Sequence, residues 1–316
     1  MATTFDVATG QGITESDDFM PLLWSDEIVA SYKRNLVLAN LVTNFDHRGR
    51  KGDSIQIPVP GRNAASVKAE SSAVTLVNDT AVNVTISLSR HIETSMLIDD
   101  LASVQALDTM RQFYTDDLGY SIAHKVDDDL HTLGATFRDG TSYSAAVIGS
   151  DGSTAWSAAS TGNGAALTDV GVRTMIQLLD DADVPEQDRF WVIPPVEKKN
   201  LLGLSRYTEQ AFIGEGGSNN SIRTGLVGNL YGAPVYVSTN CADLTNTSGS
   251  VSYRAGIYAH KSAMALVTQL GMRVQRQYQQ QFLADLITAD MVYGYSNIDT
   301  GATATDYRAV AFIVPA

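Results

Sequence analysis

Lys51-Gly52-Asp53-Ser54-Ile55-Gln56-Ile57-Pro58-Val59, followed by Val82-Asn83-Val84-Thr85-Ile86-Ser87-Leu88-Ser89, decides the fold. In the first half Ile55, Ile57 and Val59 alternate with polar or turn-type residues. In the second, Val82, Val84, Ile86 and Leu88 alternate with Asn83, Thr85, Ser87 and Ser89. Side chains two residues apart share one face of a strand, so each half is a strand with a single apolar face. Gly61, Arg62 and Asn63 supply the turn chemistry between them. The stretch 51–100 thus reads as one long polar hairpin running into the start of a helix. A two-stranded ribbon has no layer of its own to cover its apolar face and is marginal alone in water. At ~3.3 Å per residue an arm of this length reaches roughly 40–50 Å. It needs a surface to lie on, and the simplest is a neighbouring copy, which points to assembly rather than catalysis.

The helix that follows carries the strongest periodicity in the chain. Leu101, Val104, Leu107, Met110, Tyr114, Leu118, Ile122, Val126, Leu130, Leu133 and Phe137 are spaced only by threes and fours. Their mean spacing is about 3.6 residues, the α-helical repeat. Asp99 or Asp100 suits its start, Gly119 is a candidate bend, and Gly134 or Gly140 a stop. This is a spine about 50 Å long.

Before the hairpin, Met1 to Asp18 has no periodicity and reads as an extended arm. Ser25 is a plausible N-cap, and Trp24, Ile28, Tyr32, Leu36 and Ala39 make a buried helical stripe. Beyond the spine, 142–164 reads as an irregular small-residue loop with one strand near Ala145 to Ile148. Thr168 opens a helix through Val172, Met175, Ile176 and Leu179. Phe190 to Ile193 is a buried strand, and Pro195 suits the first turn of a short helix to Leu202. Tyr207 to Arg223 is a long polar loop, as is 242–252. Strands are expected at 234–238, 255–259, 264–268, 273–278, 291–296 and 309–314.

At 316 residues, 44% hydrophobic and 18% charged, the chain is of globular composition. No apolar run approaches the ~18–20 residues that span a bilayer. The absence of a leader segment and of more than one cysteine, Cys241, fits a protein made in a reducing cytoplasm. The net charge of −13 disfavours long-range attraction to nucleic acid and to anionic membranes. It does not exclude enclosing DNA without gripping it. Eight Asp lie between Asp99 and His131, against Arg111 and Lys125 as the only Lys or Arg. The hairpin is the less acidic region.

No enzymatic constellation assembles. Lys261-Ser262 lacks the glycines of a phosphate loop, and Gly225, Gly228 and Gly232 precede a strand instead of joining strand to helix. His124, Asp128 and His131 share one helical face at a spacing that suits zinc. The plainer reading is a polar stripe, with Asp127 and Asp129 as part of a solvated acidic cluster. Cys241 has no His in sequence reach, and Lys51-Gly52-Asp53 is a turn before a strand. The expectation is therefore no enzyme, no cofactor and no metal.

The order of parts resembles the major capsid proteins of tailed phages. The residues that carry it are Leu22-Leu23-Trp24-Ser25-Asp26-Glu27-Ile28, Leu38-Ala39-Asn40-Leu41-Val42 before the hairpin, Asn229-Leu230-Tyr231-Gly232-Ala233-Pro234-Val235-Tyr236-Val237-Ser238, and Gln275-Arg276-Gln277-Tyr278 on to Tyr293-Gly294. The resemblance implies an α+β Hong Kong 97-type capsid fold. Its parts would be an N-terminal arm (1–24), a peripheral segment (25–45), the extended loop (46–98), a peripheral domain with the spine helix (99–166), an axial domain (167–289) and return strands to the peripheral domain (290–316). It implies a shell of hexamers and pentamers around DNA in a virion, assembled in the host cytoplasm with no membrane. A scaffolding protein and a portal are the implied partners, with room for a decoration protein. The candidate interface residues on the extended loop are Arg48, Arg50, Lys51, Arg62, Lys68 and Glu70. The competing readings are a tail or baseplate component, or a ligand-binding or hydrolase α+β domain built on 207–223.

Overall fold

Two sheets and one long helix organise the chain. The structure, a computed structural model, describes residues 36–48, 51–59, 65–74, 76, 82–100, 109–137, 145–159, 163–204, 228–298 and 308–316. All of these fall in one compact unit, Arg34–Ala316.

The seven-stranded sheet holds β5 (Val147–Ile148), β6 (Arg189–Ile193), β7 (Asn229–Leu230), β8 (Ala233–Val237), β9 (Asp243–Thr245), β10 (Ser252–His260) and β13 (Ala309–Pro315). Its order is β5-β13-β10-β6-β8-β7, with β9 also on β10. The chain Phe190-Trp191-Val192-Ile193 is apolar at every position because both faces of the sheet are covered. On one face Trp191, Ile193, Tyr258, Val310 and Phe312 pack with Val172, Met175 and Leu179 of α3 (Asp169–Asp181) and Leu201 of α4 (Pro195–Leu202). Thr168 caps α3, its hydroxyl accepting from the Gly171 amide, as its sequence position suggested. On the other face Phe190, Val192, Ile257 and Ile313 meet Leu38 of α1 (Leu38–Leu41) and Val126, Leu130, Ala135 and Phe137 at the end of the spine.

The four-stranded sheet runs β1-β11-β12-β4. β1 (Thr43–Asp46) lies parallel to β11 (Met264–Gln279), and β12 (Ala284–Asn297) bridges β11 to β4 (Arg90–Asp99). β11 is one strand where two were expected. Register irregularities between Thr268 and Arg273 interrupt the alternation that would have shown its continuity. The segment 290–316 is split between the sheets: β12 belongs to the four-stranded sheet and β13 lies between β5 and β10 in the other.

The spine α2 spans Thr109–Gly134 in the described residues; 101–108, where its start was expected, lie outside them. It runs through Gly119 unbroken and stops at Gly134 as expected. A Cβ at Gly134 would sit 2.3 Å from Ile257 Cδ1, so the helix end also presses directly on the sheet. The spine serves both sheets. Val126 and Leu130 lie under the seven-stranded sheet, while Leu118 and Ile122 pack with Ile287 and Ala289 on the four-stranded one. Replacing Leu118 by Ala is expected to cost about 2–3 kcal/mol, low in the range for buried leucines because this cluster is small and close to the surface. Denaturant midpoints of unassembled subunits check this, and an unchanged midpoint would refute the assigned face.

Candidate assembly surfaces

The hairpin begins where Gly52, at φ +146°, turns the chain into β2 (Ser54–Val59). β2 pairs antiparallel with β3 (Val82–Ser87), placing Ile55 opposite Ile86, Ile57 opposite Val84 and Val59 opposite Val82. The alternation in the sequence thus becomes a ladder of apolar pairs. The ladder is six pairs long, about 20 Å. These are the described pairs; much of 60–81, on which the expected ~40–50 Å reach depends, lies outside the described residues.

The base of this ribbon is covered by its own chain, contrary to expectation. Ile86 and Leu88 are buried against Ala265, Val267 and Ile298, with Ile55 and Ile57 packed alongside. The Leu88 amide donates to the Asp53 carbonyl at 2.8 Å, and Gln269 Nε2 to the Gly52 carbonyl at 2.8 Å. At Gly294 a Cβ would lie 2.3 Å from the Ser87 carbonyl oxygen, so β12 and the ribbon approach as closely as two backbones allow. The ribbon therefore projects from a fixed root.

Beyond the root the surroundings change. Val67, Val74 and Leu76 are exposed at 101%, 69% and 88%. A turn closes at Ala69–Ser72, where Ser71 takes φ +64° and the Ser72 hydroxyl donates to the Ala69 carbonyl at 2.8 Å. The turn expected at 61–63 lies outside the described residues, as do Arg50 and Arg62. Lys51, Lys68 and Glu70 are exposed. Arg48 reaches Asp46, 3.6 Å away, with both side chains largely in solvent. Such a pair is worth at most ~1 kcal/mol.

A second exposed surface lies at the far end of the four-stranded sheet. Phe282 and Leu283, in the turn between β11 and β12, are exposed, as is Leu97 on β4. β4 was not expected at all, since the hairpin was read as continuing to 98. Ile92, Met96 and Ile98 do alternate toward the spine, but Leu97 adds an apolar side chain on the opposite face and blurs the period. On that outer face Arg273 makes a two-pronged contact with Asp290, Nε to Oδ1 at 2.7 Å and Nη2 to Oδ2 at 2.9 Å. His91 Nε2 stands 3.1 Å from the same Oδ2. Arg273 chiefly holds the Asp290 carboxyl below its ordinary range, with His91 adding to it. Three strands are thereby tied across one face.

The acidic cluster on the spine is not solvated as expected. Asp127 and Asp129 are buried, whereas Asp128 is half-exposed and pairs with Lys125 at 3.1 Å. Asp129 accepts from the buried Tyr293 hydroxyl at 2.7 Å and from Lys125 at 2.8 Å. His131 is buried, while His124 lies beside the Tyr120 ring. Among the described residues no three metal-binding side chains converge. Burial raises the Cys241 thiol to about 12, which makes it a poor nucleophile.

No family model matches the chain, and no curated protein matches it. Solved structures do. A chain from Mycobacterium phage Che8 is 22% identical, with a TM-score of 0.68 over 93% of this chain and 97% of that one. The capsid of Cyanophage P-SCSP1u gives 17% identity and a TM-score of 0.72 over 98% and 96%. The capsid asymmetric unit of Cyanophage Pam1 gives 15% and 0.71 over 100% and 99%. The chain has the α+β fold of tailed-phage capsid subunits.

Proposed function

We propose that this chain is the major structural subunit of a tailed-phage capsid. It self-assembles as hexamers and pentamers into an icosahedral shell around double-stranded DNA. The observation that supports this best is the match in fold over nearly the full length of capsid subunits. The projecting hairpin, rooted in its own core and uncovered beyond it, is the part such a subunit would lay on a neighbour. In this reading the four-stranded sheet with the front half of α2 is the peripheral domain, and the seven-stranded sheet is the axial domain. The role is structural, not catalytic. Arg48, Arg50, Lys51, Arg62, Lys68 and Glu70 would contact the adjacent copy. A scaffolding protein and a portal would act during assembly in the host cytoplasm.

Negative-stain electron microscopy of the purified chain, alone and with its scaffolding protein co-expressed, tests the proposal. Closed shells or rings of six and five subunits are expected. Only monomers under both conditions would overturn it. The net charge of −13 adds a second expectation: at physiological salt the isolated subunit leaves duplex DNA unshifted in a gel. Micromolar or tighter binding would contradict a lining that encloses DNA without holding it.

A further inference from the structure

A fully buried carboxylate on the spine joins three parts of the fold, and the capsid reading has no use for it. Asp127 is 0% exposed. Its Oδ1 accepts the backbone amides of Val37, at 3.2 Å, and Leu38, at 2.9 Å. Its Oδ2 accepts Asn240 Nδ2 at 2.8 Å. The first partners lead into α1 and β1; the second lies just past β8. The carboxylate itself stands on the spine. His131, one helical turn on and also buried, places Nε2 3.4 Å from Oδ2. Neither His131 ring nitrogen has a hydrogen-bond partner among the described residues, so this is a close approach and not an aligned bond.

The groups around the pair make its charge matter. Cys241 is the nearest thiol, beside Asn240. Arg254 on β10 donates to the carbonyls of Thr239 and Cys241 at 3.3 and 3.0 Å, and its own partner is Asp243 on β9, 2.7 Å away. On the spine's other flank are Asp129 and Lys125, with Tyr293 of β12 closing onto Asp129. α1, Leu38–Leu41, contributes only backbone amides. Burial pushes the Asp127 carboxyl up, but His131, Asn240 and the Leu38 amide outweigh burial and hold it below its ordinary range.

We propose that Asp127 is the keystone of an acid-released latch that fastens the Val37–Val42 lead into β1 to the spine and to the turn after β8. While ionised, this one carboxylate on the spine accepts donors from the other two parts. Once protonated it is a weaker acceptor, and a proton on Oδ2 competes with the Asn240 amide that donates to the same atom. The sign follows from the direction of the shift. A carboxyl lowered by folding contributes stability that is complete above about pH 4 and is lost as pH falls through its folded value. The latch is therefore closed at neutral pH and opens on acidification, independently of whether the chain builds a shell.

Hydrogen exchange of the full chain, read by mass spectrometry as protection factors between pH 7 and pH 3, tests this. Peptides covering 37–42 are expected to lose at least tenfold in protection at a pH where β6 and β10 of the seven-stranded sheet remain protected. Asn240→Ala removes one donor to the carboxylate and is expected to raise the pH of release by roughly one unit. Asp127→Asn is expected to leave 37–42 poorly protected at every pH. If that variant does not fold, the wild-type profile and Asn240→Ala still decide the matter. Protection of 37–42 that is flat with pH overturns the latch. So does loss that coincides with loss in β6 and β10, or an Asn240→Ala profile that coincides with wild type.

Discussion

A chain lacking Gly61–Ser72 is expected to keep both sheets, stay soluble and form no shells. The two halves of that expectation have separate causes. Val67 is fully exposed among the described residues, and Val74 and Leu76, which border the deletion, are largely exposed. The root of the hairpin is different. Ile86 and Leu88 are buried against Ala265, Val267 and Ile298, and they lie outside the deleted segment. Subunit stability is thus expected to move by no more than ~0.5 kcal/mol, as for surface changes away from any packed feature. Assembly should respond far more strongly. Burying one Val or Leu is worth ~1.5–3 kcal/mol. In the proposed shell each copy would both give and receive an arm, so losing the arm would remove two contacts per subunit. Size-exclusion chromatography and electron microscopy read the outcome. Shells of normal size from the deleted chain would sink the assembly role of the arm, while an unfolded product would show that the segment supports the core.

What the amino-acid sequence revealed, and what it hid, follows from the range of each interaction. The ribbon and the spine were legible because their periods of 2 and 3.6 are local properties, and the ladder from Val59–Val82 to Ile55–Ile86 forms as the alternation implies. The cover over the ribbon was not legible. Ala265, Val267 and Ile298 come from a distant part of the chain, and no local pattern reports that they fold back on Ile86. Of the helical stripe Trp24, Ile28, Tyr32, Leu36 and Ala39, the first three lie outside the described residues, and between Leu36 and Ala39 it is interrupted for a related reason. Val37 and Leu38 spend their amides on Asp127, and α1 begins only at Leu38. Asp127 and Asp129, either side of Asp128, read as a solvated acidic cluster. Successive helical residues point about 100° apart, so three in a row cannot share a face. The signal that would have separated them was His131, four residues after Asp127, alongside the apolar Val126 and Leu130. The interface residues stay the least legible of all, since the chain that would cover them is another copy.

Trp191→Ala is expected to be the most damaging single substitution in the seven-stranded sheet, costing about 3–5 kcal/mol. Trp191 is 0% exposed and sits on β6 at the centre of the face covered by α3. Its ring stacks on Tyr258 with centroids 3.9 Å apart and meets Phe312 edge-on at 5.9 Å. Phe312 in turn lies over Gly256, where a Cβ would come within 2.3 Å of the ring. The aromatic group therefore spans β6, β10 and β13, and no neighbour can collapse into the space an alanine would leave. Trp191→Phe separates volume from hydrogen bonding. The indole Nε1 is buried without a partner among the described residues, so its removal gives up no bond. The phenylalanine variant should lose only part of the ring contact, less than ~2 kcal/mol. A domain with a total stability of ~5–15 kcal/mol can absorb the second loss more easily than the first. Denaturant midpoints on unassembled subunits are expected to fall in the order wild type, Phe, Ala. Equal losses for both variants would mean that the Nε1 group is satisfied in solution, and an alanine variant as stable as wild type would mean that this face is not the core. The aromatic sheet face and the exposed arm thus make opposite demands on one experiment: altering the first should destroy the subunit before it can assemble, and altering the second should spare the subunit and abolish only its assembly.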